Sequence, residues 1–136
     1  MTDKKYNQYG YVGLKNLGNT CFLNSCLQAL SNTPELNKLL DNKKKIHNNG
    51  DGIIFDEWNE LRNLIWKNNG IISPNKFVRS VQNVAKEKDR DIFTGWSQND
   101  ISEFLLFMME CIHNSISRSV TVNINGKKEN NIDMLA

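Results

Sequence analysis

The sequence predicts a mainly α-helical fold of about five helices, followed toward the C-terminus by the start of a β-sheet. Apolar residues recur at spacings of three and four in five separate segments, as in helices that bury one face. Two of these segments begin with a hydroxyl residue followed by proline, which is a favoured helix start. Near the end the spacing changes to an alternation of apolar and polar residues, which is typical of a strand.

The first helix is predicted over residues 21–30, and either Asn19 or Thr20 is suited to be its N-cap. Cys21 stands at the junction between the polar turn and the helix. Most of the positions after Cys21 are apolar, so we expect this helix to be buried. Its apolar face consists of Phe22, Leu23, Cys26, Leu27 and Leu30.

The second and third helices flank a polar loop. Thr33 and Pro34 begin a short helix that extends to about Leu40. The Asn-, Lys- and Gly-rich stretch 41–52 is predicted to be a loop. An amphipathic pattern then predicts a third helix over residues 53–67.

The fourth and fifth helices complete the helical part. Ser73 and Pro74 begin the fourth, whose apolar stripe continues to about Lys88. Ser97 and Asp100 are spaced like a capping box ahead of the fifth and longest helix. The apolar set of the fifth helix is Ile101, Phe104, Leu105, Met108, Cys111 and Ile112.

The strand signal lies at Val120, Val122 and Ile124, and Asn125-Gly126 is a strong signal for a tight hairpin turn. The segment that would return from this turn is a poor strand. A lone hairpin is only marginally stable in water, so we expect the domain to be interrupted at this point.

Composition excludes several classes of function. A chain of 136 residues fits one domain, and its net charge of +2 is spread over interspersed acids and bases. We therefore expect no nucleic-acid partner and no membrane partner. No apolar run reaches the roughly 20 residues of a membrane span, and the N-terminus resembles no signal peptide. The odd number of cysteines, three, fits a reducing compartment, and we expect an intracellular protein, cytoplasmic or nuclear.

The residues alone leave the role of Cys21 open between a nucleophile and a buried thiol at a helix start. The N–H groups of a first helical turn favour a thiolate, and with the amides of Asn16 and Asn19 they are suited to bind an oxyanion. Cys26 and Cys111 lie on apolar faces and are predicted to pack in the core.

A base for Cys21 is not evident. The two histidines, His47 and His113, lie in a polar loop and at a helix boundary, in contexts unlike that of a catalytic imidazole. With so few histidines and no C-x-x-C pair, no metal site is expected, and no cofactor is predicted.

Two ordered motifs nevertheless resemble one family. The stretch GLKNLGNTCFLNSCLQAL, from Gly13, is similar to the cysteine box of the ubiquitin-specific proteases, which are papain-like deubiquitinases. SQNDISEFLLFMMECIH, from Ser97, resembles the second motif of that family at the expected distance. The resemblance implies that Cys21 is the nucleophile and that Asn16 is the oxyanion-hole amide. It implies that the second motif lies beside the channel for the ubiquitin tail, with Gln98, Asp100, Glu103 and Phe104 at matching positions.

The resemblance covers the helical thumb of the family's catalytic domain. Residues 1–12 are then an N-terminal extension, and residues 13–136 are a partial catalytic domain that comprises the thumb and the first strand. The zinc-binding fingers and the palm, which carries the catalytic histidine and the Asp or Asn that orients it, have no counterpart here. We therefore expect an incomplete α+β cysteine peptidase domain with little or no activity by itself.

Two kinds of function remain open at this level. The first is a cysteine-type deubiquitinase that cleaves after the C-terminal glycine of ubiquitin, with ubiquitin or ubiquitinated proteins as partners and a second chain as a source of the fingers and palm. The second is a non-catalytic thumb module that binds ubiquitin or another partner, or a truncated remnant.

Overall fold

A computed structural model describes residues 9–42 and 49–123, and within them the chain is mainly helical, as predicted. Five α-helices, a short 3-10 turn and a two-stranded sheet make up the regular structure of these two ranges. The elements are β1 Val12–Leu14, α1 Cys21–Ser31, α2 Pro34–Asp41, α3 Gly50–Lys67, β2 Gly70–Ile72, α4 Asn75–Glu87, the 3-10 turn Asp91–Phe93 and α5 Ile101–Ile116.

All five predicted helices form, with small differences at three starts. The fourth helix begins at Asn75, with Pro74 as its N-cap and not as its first residue. The third helix begins earlier than predicted, at Gly50, because the Asn49 side chain accepts a hydrogen bond from the backbone N–H of Gly52. The fifth helix is capped by Asp100 and not by Ser97, since the Asp100 carboxylate accepts from the N–H groups of Ser102 and Glu103.

The sheet lies at a place that the sequence did not indicate. β1 and β2 pair in parallel, with Val12 opposite Gly70 and Leu14 opposite Ile72. Strands of three residues are too short to show an alternating pattern, which explains why they escaped prediction. The strand expected from Val120 does not form over residues 120–123, which are neither helix nor strand. Ile124 and the predicted hairpin turn lie outside the described residues.

The core is built where α3 packs against α4 and α5, and where α1 packs against α5. Cys26 and Cys111 are buried in it, in the positions predicted for them. Ile101 and Leu105 were expected on the buried face of α5 but are exposed. Ile101 and Leu105 lie beside the buried face of α5 and not on it. The buried residues of α5 are Phe104, Phe107, Met108, Cys111, Ile112 and Ser115.

Side-chain amides of α1 attach β1 to this core. Gln28 donates to the carbonyl oxygen of Val12 at 2.7 Å, and Asn24 donates to the carbonyl oxygens of Leu14 and Lys15, both at 3.2 Å. These bonds satisfy the carbonyls of β1 that do not face β2. They also fix the point from which the loop to Cys21 departs.

A buried polar network fixes the other end of α1. The Ser31 carbonyl accepts from Asn37 at 2.7 Å and from the Trp66 indole at 2.9 Å. Arg62, almost fully buried on α3, bonds to Asn37 and forms an ion pair of 2.6 Å with Asp41. Both ends of α1 are therefore held, and its first residue has a defined position.

No helix in the described ranges has the length and apolar character needed to cross a membrane.

Candidate active site

Cys21 is the first residue of α1, and its side chain is exposed. The other two thiols are buried, and burial raises the pKa of Cys26 to about 11 and also raises the pKa of Cys111. Thiolates are the reactive form, so the two core cysteines are inert, and Cys21 is the exposed one of the three thiols.

The loop before Cys21 is folded around the side chain of Asn16. Its Oδ1 accepts hydrogen bonds from the N–H groups of Gly18 at 3.0 Å and Thr20 at 3.2 Å, and from the Thr20 hydroxyl at 3.1 Å. Two backbone donors can only face an oxygen, so the Nδ2 group of Asn16 is turned away from the loop. Within the described part of the chain this Nδ2 has no hydrogen-bond partner.

Backbone conformation at Gly18 and Asn19 turns the loop into the helix. Gly18 has a φ of +98° and Asn19 a φ of +53°, in the left-handed region that glycine and asparagine tolerate best. Thr20 is buried, and its hydroxyl accepts from the Leu17 N–H at 3.0 Å. Gly18, Asn19 and Thr20 thus each fit the local geometry that leads into the helix.

The loop of residues 94–99 is distant in the sequence but lies against Cys21 and the loop that precedes it. The thiol of Cys21 donates to Gln98 Oε1 at 3.3 Å, and Asn19 Nδ2 donates to the carbonyl oxygen of Trp96 at 3.0 Å. Each pair is separated by 77 residues in the sequence. Gln82 on α4 holds the same loop by donating to the carbonyl oxygen of Gly95 at 3.1 Å.

A cluster of aromatic rings behind Cys21 joins the elements that carry these loops. Phe22 on α1 and Phe93 in the 3-10 turn lie 5.4 and 5.7 Å from Phe104 on α5, both in edge-to-face contact. Phe107 completes the cluster, 5.2 Å from Phe93. Edge-to-face packing is favoured over sandwich stacking, and it fixes the mutual orientation of α1 and α5.

The structure distributes the four predicted channel residues unequally. Gln98 contacts Cys21, whereas Asp100 caps α5 and Phe104 is fully buried in the aromatic cluster. Bonds from the N–H groups of Glu103 and Ser102 lower the pKa of Asp100, because they stabilise its charged form. The Glu103 side chain is exposed. Only Gln98 of this set is thus placed next to the thiol.

No imidazole in the described ranges lies beside Cys21. His113 is on α5, twelve residues after its first residue, which corresponds to about 18 Å along the helix axis from the end near Gln98. His47 lies outside the described residues. The same ranges contain no group of three or more His, Cys, Asp or Glu side chains suited to hold a metal ion.

Two residues near Cys21 were missing from the sequence-based site or had no assigned contact there, namely Asn19 and Trp96. Asn19 was predicted only as a cap or a loop amide, but it joins the two loops. Trp96 takes part through its backbone carbonyl, and no pattern of side chains could have identified it. Gln82 reaches the loop of residues 94–99 from the edge of an amphipathic helix, a position typical of solvent-facing residues.

The mainly helical fold, with its small two-stranded sheet, fits the class of a partial papain-like domain. The sequence model of the family described as "Ubiquitin carboxyl-terminal hydrolase" matches residues 12–135. The chain therefore belongs to this family, and its relatives place it among the ubiquitin-specific proteases.

Two of these relatives illustrate the extent of the match. Human (Homo sapiens) ubiquitin carboxyl-terminal hydrolase 2 is 37% identical over 128 residues, which are 89% of this chain and 20% of that protein. Ubiquitin carboxyl-terminal hydrolase 15 of Rattus norvegicus is 35% identical over 119 residues, 82% of this chain and 12% of that protein. The chain thus spans a fifth or less of the length of these curated relatives.

Proposed function

We propose that this chain supplies the nucleophile of a cysteine-type deubiquitinase, in which Cys21 attacks the carbonyl carbon of the C-terminal glycine of ubiquitin. The observation that carries the proposal is the position of Cys21, exposed at the first residue of α1 between two tethered loops. Attack of the thiolate forms a tetrahedral oxyanion. Loss of the amine leaves a thioester, which water then hydrolyses to release ubiquitin.

Asn16 is the proposed oxyanion donor. Its Oδ1 is occupied by the N–H groups of Gly18 and Thr20, so its Nδ2 is oriented outward as a donor. A preorganised donor of this kind stabilises the charge that develops on the carbonyl oxygen. This geometry supports the role that the family resemblance gives to Asn16.

The histidine that would activate Cys21 and protonate the leaving amine comes, in this proposal, from outside the described residues. His113 is too far along α5 to reach the thiol. We propose that a further polypeptide segment, in the same protein or in a second chain, brings the histidine and its orienting Asp or Asn, and that the 136 residues alone do not turn over substrate. The three free thiols suit action in a reducing compartment, in the cytoplasm or nucleus.

Ubiquitin with a C-terminal vinyl sulfone tests whether the chain aligns the ubiquitin tail with Cys21. We expect a covalent adduct at Cys21, located by mass spectrometry, and no adduct with Cys21→Ser. Ubiquitin with a C-terminal fluorogenic amide should not be hydrolysed by the chain alone. Failure to form the adduct would contradict the proposed alignment, and hydrolysis by the chain alone would contradict the need for an external histidine.

Ubiquitin aldehyde tests the role of Asn16, because its adduct with a thiol places an oxygen in the position of the oxyanion. Asn16→Asp keeps an oxygen for the N–H groups of Gly18 and Thr20 but removes the outward donor. We expect the aldehyde to bind this variant about tenfold to a hundredfold more weakly, as for the loss of a hydrogen bond to a charged group. Equal binding by both proteins would remove Asn16 from the mechanism.

A second candidate function is a non-catalytic module that binds ubiquitin or another partner. The observation in its favour is a group of exposed apolar side chains at the start of α5, where Leu106 is 71% and Ile101 44% exposed. This function predicts ubiquitin binding that does not change with Cys21→Ser, together with no vinyl sulfone adduct.

A further inference from the structure

A chain of three hydrogen-bond contacts leads from a backbone carbonyl to the thiol of Cys21. Asn19 Nδ2 donates to the carbonyl oxygen of Trp96 at 3.0 Å. Gln98 Nε2 faces Asn19 Oδ1 at 3.5 Å, and the thiol donates to Gln98 Oε1 at 3.3 Å. We call these contacts the amide relay.

The direction of the relay is set at its Trp96 end. A carbonyl oxygen can only accept, so the amide nitrogen of Asn19 must face it. The oxygen of Asn19 is then directed at Gln98, which presents its nitrogen in that direction. The oxygen of Gln98 is therefore the atom that faces Cys21.

This direction presents a hydrogen-bond acceptor to the Cys21 thiol. An S–H group donates to the Gln98 oxygen, whereas a thiolate would meet that oxygen as a second acceptor. If Gln98 turned over to donate to a thiolate, its oxygen would face the oxygen of Asn19. If Asn19 turned as well, its oxygen would face the Trp96 carbonyl.

We infer that Asn19 is a positioning residue that acts through Gln98 to hold the S–H group of Cys21 in a hydrogen bond to the Gln98 oxygen in the resting chain. This inference rests on the proposed function only in taking Cys21 as the reacting group. The relay keeps the exposed thiol unreactive toward adventitious electrophiles, and activation requires that Gln98 move or turn.

Iodoacetamide tests the inference without ubiquitin and without a histidine, because it alkylates a thiolate directly with loss of iodide. The rate of modification of Cys21 is measured at neutral pH, and mass spectrometry assigns the modified site. Asn19→Gly preserves the left-handed backbone and frees Gln98 to turn. We expect Cys21 to react about threefold to tenfold faster in this variant, as for the loss of one hydrogen bond.

Asn19→Asp is the conservative variant that separates positioning from loop stability. It keeps an oxygen for Gln98 Nε2 but loses the donor to Trp96, so Gln98 still presents its oxygen to the thiol. We expect alkylation at or below the rate of the unchanged chain. A purely structural tether would instead make both Asn19 variants react faster.

Two controls complete the test. Gln82→Ala loosens the same loop at Gly95 without touching the relay, and it should leave the alkylation rate unchanged. In a Gln98→Ala background, Asn19→Gly should have no further effect, since its action passes through Gln98. The inference is overturned if Asn19→Gly does not accelerate alkylation, if Gln82→Ala accelerates it equally, or if the effect persists without Gln98.

Alkylation of Cys26 or Cys111 would report unfolding, because both thiols are buried. If Asn19→Gly were unfolded by this criterion, the inference would be tested by comparing the Cys21 alkylation rates of Asn19→Asp and Gln98→Ala. The inference then requires that Asn19→Asp react more slowly than Gln98→Ala. The opposite order would overturn it. The outcome is independent of whether ubiquitin vinyl sulfone forms an adduct.

Discussion

Replacement of Phe104 by alanine tests whether this motif residue acts as part of the core. Its ring is fully buried, and it packs edge-to-face on Phe22 and Phe93 at 5.4 and 5.7 Å. Loss of a buried phenylalanine side chain costs about 3–5 kcal/mol of the free energy of unfolding. The two neighbours belong to different elements, α1 and the 3-10 turn, so we expect only partial relaxation into the cavity and a cost of about 4 kcal/mol.

Urea unfolding followed by circular dichroism measures this loss, because a domain of this size has about 5–15 kcal/mol of stability in total. Phe104→Leu keeps most of the buried volume and should cost less than half as much as Phe104→Ala. Leu106→Ala, two positions along the same helix but 71% exposed, should change stability by at most about 0.5 kcal/mol. If Phe104→Ala cost no more than Leu106→Ala, the aromatic cluster would not hold α1 against α5.

Two further predictions concern buried polar and thiol groups. Arg62→Met should lower the free energy of unfolding by about 1–3 kcal/mol in the same urea titration, because it leaves the buried side-chain oxygen of Asn37 without its donor. The raised pKa values of Cys26 and Cys111 predict a loss of stability at alkaline pH. The unfolded chain releases these protons from about pH 9, so stability should fall by about 1.4 kcal/mol per pH unit for each thiol until the folded protein ionises.

Each of these predictions has a control. Arg62→Lys retains the charge but not the planar fork, and it should not restore the stability lost in Arg62→Met. Cys26→Ala should remove the contribution of one thiol to the alkaline slope. An unchanged slope in that variant would show that Cys26 does not stay protonated in the folded state.

The structure shows what the residues of the two family motifs do physically. In the first motif Asn24 and Gln28 attach β1 to α1, and Asn16 shapes the loop before Cys21. In the second, Asp100 starts α5 and Phe104 fills the core. Most of these motif residues thus hold the elements around Cys21 in place, whereas Gln98 contacts the thiol itself.

The sequence by itself determined the five helices and the position of Cys21 at the first residue of α1. Both follow from local rules, since apolar spacing, caps and proline starts act within a few residues of the chain. The local rules were less reliable at the start of a helix and at the margin of its buried face. They placed Ile101 in the core and Ser97 at the cap, where only contacts with other elements distinguish the true choice.

Only the tertiary structure determined which side chains lie next to the Cys21 thiol. The Gln98 contact and the Asn19 tether each span 77 residues, and the pairing of β1 with β2 joins two segments too short to show a strand pattern. Such contacts depend on how α1, α4 and α5 pack, which no local pattern encodes. The sequence singled out Cys21, and the packing of distant elements decided that an amide oxygen faces its thiol.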